Sequence, residues 1–167
     1  MNPLGGTELQ HNFLEKYVSK DLLDNFQICT SVPGKIPLSK DKINILWQKN
    51  SWDQPNLQEF FKNPERHNDY DFYVFNSHWN YEQFRKQFNV PEHKCTVIKN
   101  GIPDIKLRNP EEKKDKIKLI YHPTPWRGLS VLLGAMQLVK NPNIVLDVYS
   151  STEVYGDQFK KENDHMY

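Results

Sequence analysis

Cysteine is scarce: the 167-residue chain has two, Cys29 and Cys95, far apart and without a Cys-x-x-Cys spacing. That usage suggests a reducing compartment and no zinc site, so the expected location is cytoplasmic. The six histidines are scattered without a His-x-x-x-His pair, and no metal is expected. An excess of one charge is also missing. Lys and Arg number 22 against 21 Asp and Glu, for a net charge of +1. The signs are interspersed, which excludes a nucleic-acid footprint and a polybasic membrane patch. No stretch approaches the apolar length of a membrane span, and the N-terminus lacks a basic-then-apolar leader pattern, so no transmembrane segment is expected. Repeats, low-complexity tracts, Gly-x-Ser-x-Gly and Gly-Lys-Ser are absent, which leaves hydrolase and nucleoside-triphosphatase readings without their signatures.

What remains is the composition of a folded protein, with 37% hydrophobic, 26% charged and 13% aromatic residues. Along the chain, Thr7 and Gln10 form a Thr-x-x-Gln capping box for a helix carrying Leu9, Phe13 and Tyr17 on one stripe. "FQICTSV" and "KINILWQ" read as strands, the second alternating Ile43, Ile45 and Trp47 against Asn44, Leu46 and Gln48. "LQEFF" supplies one or two helical turns, and "DFYVFNS" reads as a buried parallel strand. Ser77 can cap the next helix, where Tyr81, Phe84 and Phe88 share a face, and "KCTVIKNG" is a further short strand. This alternation predicts a doubly wound, Rossmann-like α/β domain over 1–102. A Pro-containing, mixed-charge linker follows over 103–116, and one βαβ unit of a second Rossmann-like domain over 117–167. A Gly-Gly turn of the phosphate-loop type normally follows a strand, and one βαβ unit is too small for a domain. The expectation is therefore a chain incomplete at both ends.

The stretch "HPTPWRGLSVLL" changes character in the middle. Pro123 and Pro125 stiffen a loop, whereas Leu129, Leu132, Leu133 and Met136 recur at helical spacing and predict one buried face. Arg127 and Gly128 then fall at a helix N-terminus, where backbone N–H groups and the helix dipole collect anions and an arginine adds a forked, charged donor. The alternative for Arg127 is a surface ion pair.

Three segments, "GGTEL", "FNSHWNYEQFRKQFNVPEHKCTVIKNGI" and "KLIYHPTPWRGLSVLLGAMQ", resemble in order and spacing the two-domain retaining glycosyltransferases of the GT-B fold, family 4. The resemblance covers almost all of this chain and about half of a two-domain enzyme. It implies transfer of a sugar from a nucleoside diphosphate sugar to a glycan, lipid or small-molecule acceptor hydroxyl, with retention and without a further cofactor. It also implies that Arg127 and Gly128 hold the donor diphosphate, and that Gly5 and Gly6 approach the same diphosphate or the acceptor. Thr124 and His122 lie in the donor loop. Lys49 stands roughly where the family has a cleft histidine, with simple exposure as its alternative. The family's Glu-x(7)-Glu pair would lie beyond Tyr167, so transfer is expected to require a longer chain. A non-catalytic nucleotide- or sugar-binding module is the competing reading.

Other constellations carry less. Asp69 and Asp71 form an Asp-x-Asp of the metal-binding kind but precede a strand instead of following one, so they read as its polar edge. His78 reads as a first-turn residue. Trp52, in "SWDQPN", is a candidate for stacking on an acceptor sugar, with core capping as its alternative.

Overall fold

The computed structural model describes residues 5–106, 115–151 and 156–163. Two compact units emerge, Leu9–Ile102 and a second that joins Met1–Glu8 to Pro103–Tyr167. Helix α1 (Gly6–Tyr17) and the short α2 (Lys20–Leu23) lead into β1 (Phe26–Thr30) and β2 (Ile43–Gln48). Then come α3 (Pro55–Phe61), β3 (Phe72–Phe75), α4 (His78–Phe88) and β4 (Cys95–Val97). The four strands form a parallel sheet in the order β1-β2-β3-β4, registered by Phe26↔Ile43, Ile45↔Phe72 and Tyr73↔Cys95. The α/β class is as the sequence predicts, and the parallel sheet is consistent with a Rossmann-like fold.

Side chains alternate across a strand, so one face of the sheet collects Cys29, Leu46, Tyr73 and Phe75. These meet Leu57, Phe60 and Phe61 of α3 and Phe84 and Phe88 of α4 in a single buried cluster. Phe61 is its hub, with ring centroids 4.7 Å from Phe84, 5.5 Å from Phe88 and 6.0 Å from Tyr73. Pro55 begins α3, where its missing N–H costs nothing. Ser77 caps α4 as expected, its hydroxyl accepting from the Asn80 N–H at 3.1 Å. Asn89 ends that helix in the left-handed region at φ 53°, a conformation asparagine tolerates.

Two local expectations are corrected, and the alternation in β2 is assigned its faces. Thr7 and Gln10 do not form a capping box. The helix starts at Gly6, and the Glu8 carboxylate accepts from the Gly5 N–H at 2.9 Å. The Gln10 amide instead exchanges two hydrogen bonds with the Gly101 backbone. The stripe of α1 is not core either, since Leu9 and Tyr17 are exposed and the helix contains no buried residue. In β2 the polar-looking set Asn44, Leu46 and Gln48 is the one buried against the core side, whereas Ile43 is exposed. Hydrogen bonds make that possible: Asn44 bonds the Ser39 backbone through both ends of its amide. Asp71, at the edge of β3, accepts from the Asn44 N–H at 2.7 Å, so this half of the Asp-x-Asp pair anchors a strand. Asp69 pairs with Arg66 at 3.3 Å.

In the second unit, β5 (Ile117–Tyr121), α5 (Leu129–Leu138) and β6 (Ile144–Val148) form a βαβ unit with parallel strands registered from Ile117↔Ile144 to Tyr121↔Val148. Helix α6 (Asp157–Glu162) follows. The predicted face of α5 is covered only in part: Leu129, Leu132 and Met136 are half-buried, whereas Leu133 is exposed and no residue of the helix is fully buried. Two strands offer too little surface to cover a helix that is apolar on all sides. No helix among the described residues is long and apolar enough to cross a membrane.

Candidate functional site

Polar groups gather where strands end. One set lies in the loop 122–128 between β5 and α5. Thr124 is buried, and its carbonyl accepts from the Tyr121 hydroxyl at 2.8 Å and the Arg127 N–H at 3.0 Å. The Ser150 hydroxyl pins the loop from the end of β6 through the Pro123 carbonyl at 2.7 Å. These bonds fold the loop tightly, and Gly128 completes the turn as N-cap of α5 at φ 94°, ψ 20°. A side chain there would find open space but a strained backbone, so conformation, not crowding, calls for glycine. The Arg127 side chain is exposed and makes no ion pair or hydrogen bond among the described residues. The Thr124 Oγ1 is buried without a partner. His122 is exposed at the start of the loop. Gly5 and Gly6 open α1, Gly6 exposed.

In the sheet of four strands, the carboxyl ends of β1 and β2 are bound by a buried side chain that sequence reasoning missed. The Gln48 amide N–H donates to the Ser31 carbonyl at 3.0 Å, while its oxygen accepts from the Asn50 N–H at 2.8 Å. Ser31 itself sits at φ 64° and donates its N–H to the Trp47 carbonyl at 3.0 Å. In the first turn of α4, the Asn80 amide donates to Asn76 Oδ1 at 3.3 Å. Around this frame four buried polar atoms have no hydrogen-bond partner: Ser31 Oγ, Trp47 Nε1, Lys49 Nζ and Asn80 Oδ1. Such atoms each cost about 1–3 kcal/mol when nothing satisfies them. The carboxyl end of a parallel sheet is where ligands of open α/β folds bind.

Lys49 is the chemically distinctive member. Its ammonium lies 3.4 Å from the centroid of the Trp47 ring, a cation–π contact. Burial pulls its pKa from the ordinary 10.5 down to about 8. Between those values the folded protein holds fewer protons than the unfolded chain, so the lysine's contribution to stability rises with pH across that window. Below pH 8 the charged form must be kept partly out of water. Lys49→Met is therefore expected to raise the melting temperature at pH 7 by about 2–4 °C, the effect kept modest because solvent still screens the side chain. That gain should shrink toward pH 10.5. Melts of both proteins at pH 7, 9 and 10.5 check it, and a gain that does not change with pH would contradict the assignment.

Trp52 lies half-buried against the aromatic core, and its carbonyl accepts from the Gln58 amide at 2.8 Å. His78 is the first residue of α4, as expected, and its side chain is exposed. His67, which no sequence motif flagged, is buried with Nε2 3.0 Å from the Phe61 carbonyl, a satisfied structural histidine. No group of three or more His, Cys, Asp or Glu able to hold a metal ion occurs among the described residues. No protein-family model matches the sequence, and no curated protein matches it at a significant level.

Proposed function

We propose that this chain contributes to a retaining glycosyltransferase of the GT-B type that uses a nucleoside diphosphate sugar, in the cytoplasm. The observation that carries the reading is the loop 122–128: a parallel strand, a clamped turn, a left-handed glycine and an unpaired arginine at the N-terminus of α5. Backbone N–H groups and a free guanidinium at such a junction suit phosphate. In the reaction the anomeric carbon–oxygen bond to the diphosphate breaks, negative charge builds on the departing phosphate, and Arg127 would stabilise it. The Thr124 hydroxyl, buried and unpartnered, is a further donor for the same oxygens. At the other sheet, Lys49 and Ser31 would hydrogen-bond the hydroxyls of a sugar-like acceptor, with Asn80 Oδ1 accepting from them.

The test is a thermal-unfolding scan of the chain with UDP, GDP and ADP. One nucleotide should stabilise it saturably, by about 2.7 kcal/mol at a hundred times its Kd. Arg127→Ala should lose that shift at the same concentration and melt within about a degree of the parent without nucleotide, because Arg127 is exposed. No shift with any nucleotide, or equal shifts in parent and variant, would overturn the diphosphate assignment.

A further inference from the structure

Opposite the aromatic core, the second face of the four-stranded sheet is roofed by α1 and α2 but not filled. A cavity of about 430 Å³ lies there, walled by Phe13 and Leu14 of α1, Phe26 and Ile28 of β1, and Ile45 and Trp47 of β2. That volume is in the range of small-molecule sites. The roof is fastened: Gln10 gives its amide N–H to the Gly101 carbonyl at 2.7 Å and takes the Gly101 N–H at 3.0 Å. The clasp ties α1 to the chain just past β4 and uses up the hydrogen bonds of one of the few polar side chains on the wall. Ordered water needs two to four polar partners, and this wall does not supply them. Lys99 is the single charged side chain lining the cavity, and it makes no ion pair among the described residues. An elongated apolar body fits the wall, and one negative charge fits the lysine.

We infer that this cavity binds a free single-chain fatty acid, with the hydrocarbon between α1 and the sheet and the carboxylate at Lys99. This site is independent of the glycosyltransferase reading and shares with the candidate polar site only Trp47, whose ring forms part of the wall. The experiment is titration calorimetry of the full chain with dodecanoate, kept below its micellar concentration, with dodecanol as the uncharged control. Saturable one-site binding with a negative heat-capacity change is expected. Lys99→Glu should weaken dodecanoate about tenfold and leave dodecanol unchanged. Val74→Trp places an indole inside the space and should abolish both. Because Val74 is buried and that variant can fail to fold, Ile98→Trp at a half-exposed wall position serves as the second filler. Its fold is checked by circular dichroism. No saturable binding of dodecanoate, undiminished binding in folded Ile98→Trp, or equal affinity in Lys99→Glu would each overturn the inference.

Discussion

Phe61→Ala is expected to remove about 3–5 kcal/mol from the stability of the Leu9–Ile102 unit. The ring is fully buried and touches aromatic side chains from three directions: Phe60 at 5.0 Å within α3, Tyr73 on β3, and Phe84 and Phe88 on α4. Truncation opens a hole that these rings cannot close together, because each is fixed by its own strand or helix. It also strips an edge-to-face partner from Phe84, whose ring plane meets that of Phe61 at 70°. A domain of this kind has about 5–15 kcal/mol in total, so the variant should sit close to its unfolding threshold at 37 °C. Urea unfolding followed by far-ultraviolet dichroism reads the loss. Phe61→Leu, which keeps most of the volume, should cost less than half as much. Equal losses for Ala and Leu would mean that ring geometry rather than filled space governs this core.

Gln48→Leu is expected to cost about 2–4 kcal/mol, although leucine has nearly the same size and is far more apolar. The buried amide is the only link by which the Ser31 carbonyl and the Asn50 N–H are satisfied through one side chain. Leucine leaves both without that partner. The consequence is local as well as energetic, since Ser31 holds a left-handed backbone at φ 64° that persists only while its surroundings impose it. Releasing it should loosen the two segments that carry Ser31 and Lys49. The urea midpoint should fall without a change in the slope of the transition, and Lys49 should regain a pKa nearer to that of a free lysine, measurable by nuclear magnetic resonance titration. A stable variant with an unshifted Lys49 would show that the amide frame positions nothing.

The parts of this structure that could be read from the sequence are those set by near neighbours. Ser77 capping α4, the shared face of Tyr81, Phe84 and Phe88, and Gly128 at the turn before α5 all follow from chemistry within a few residues. What escaped depends on partners far along the chain. Gln10 sits where a capping box would use it, yet its amide is taken by Gly101, 91 residues away. Asn44 and Gln48 look like the wet side of β2, and they are buried because Ser39, Ser31 and Asn50 offer them bonds that composition cannot announce. The candidate site divides in the same way. Arg127 at its junction was legible from the prolines and the glycine around it. The orphan state of Ser31 Oγ and Asn80 Oδ1 was not, because an atom is orphaned only when every nearby group has already been used.

The strand order β1-β2-β3-β4 has a consequence for how the chain is made. Among the described residues of this sheet, no strand has to slip between two that came earlier. Each of β2, β3 and β4 emerges from the ribosome beside a neighbour that already exists, so pairing closes only the connection just synthesised, whose entropy cost grows slowly with its length. The covering helices arrive on the same schedule, α3 between β2 and β3 and α4 between β3 and β4. Sheet and covering layer can therefore grow by accretion, one strand with one helix at a time, and each addition shields the apolar surface that the previous one left open.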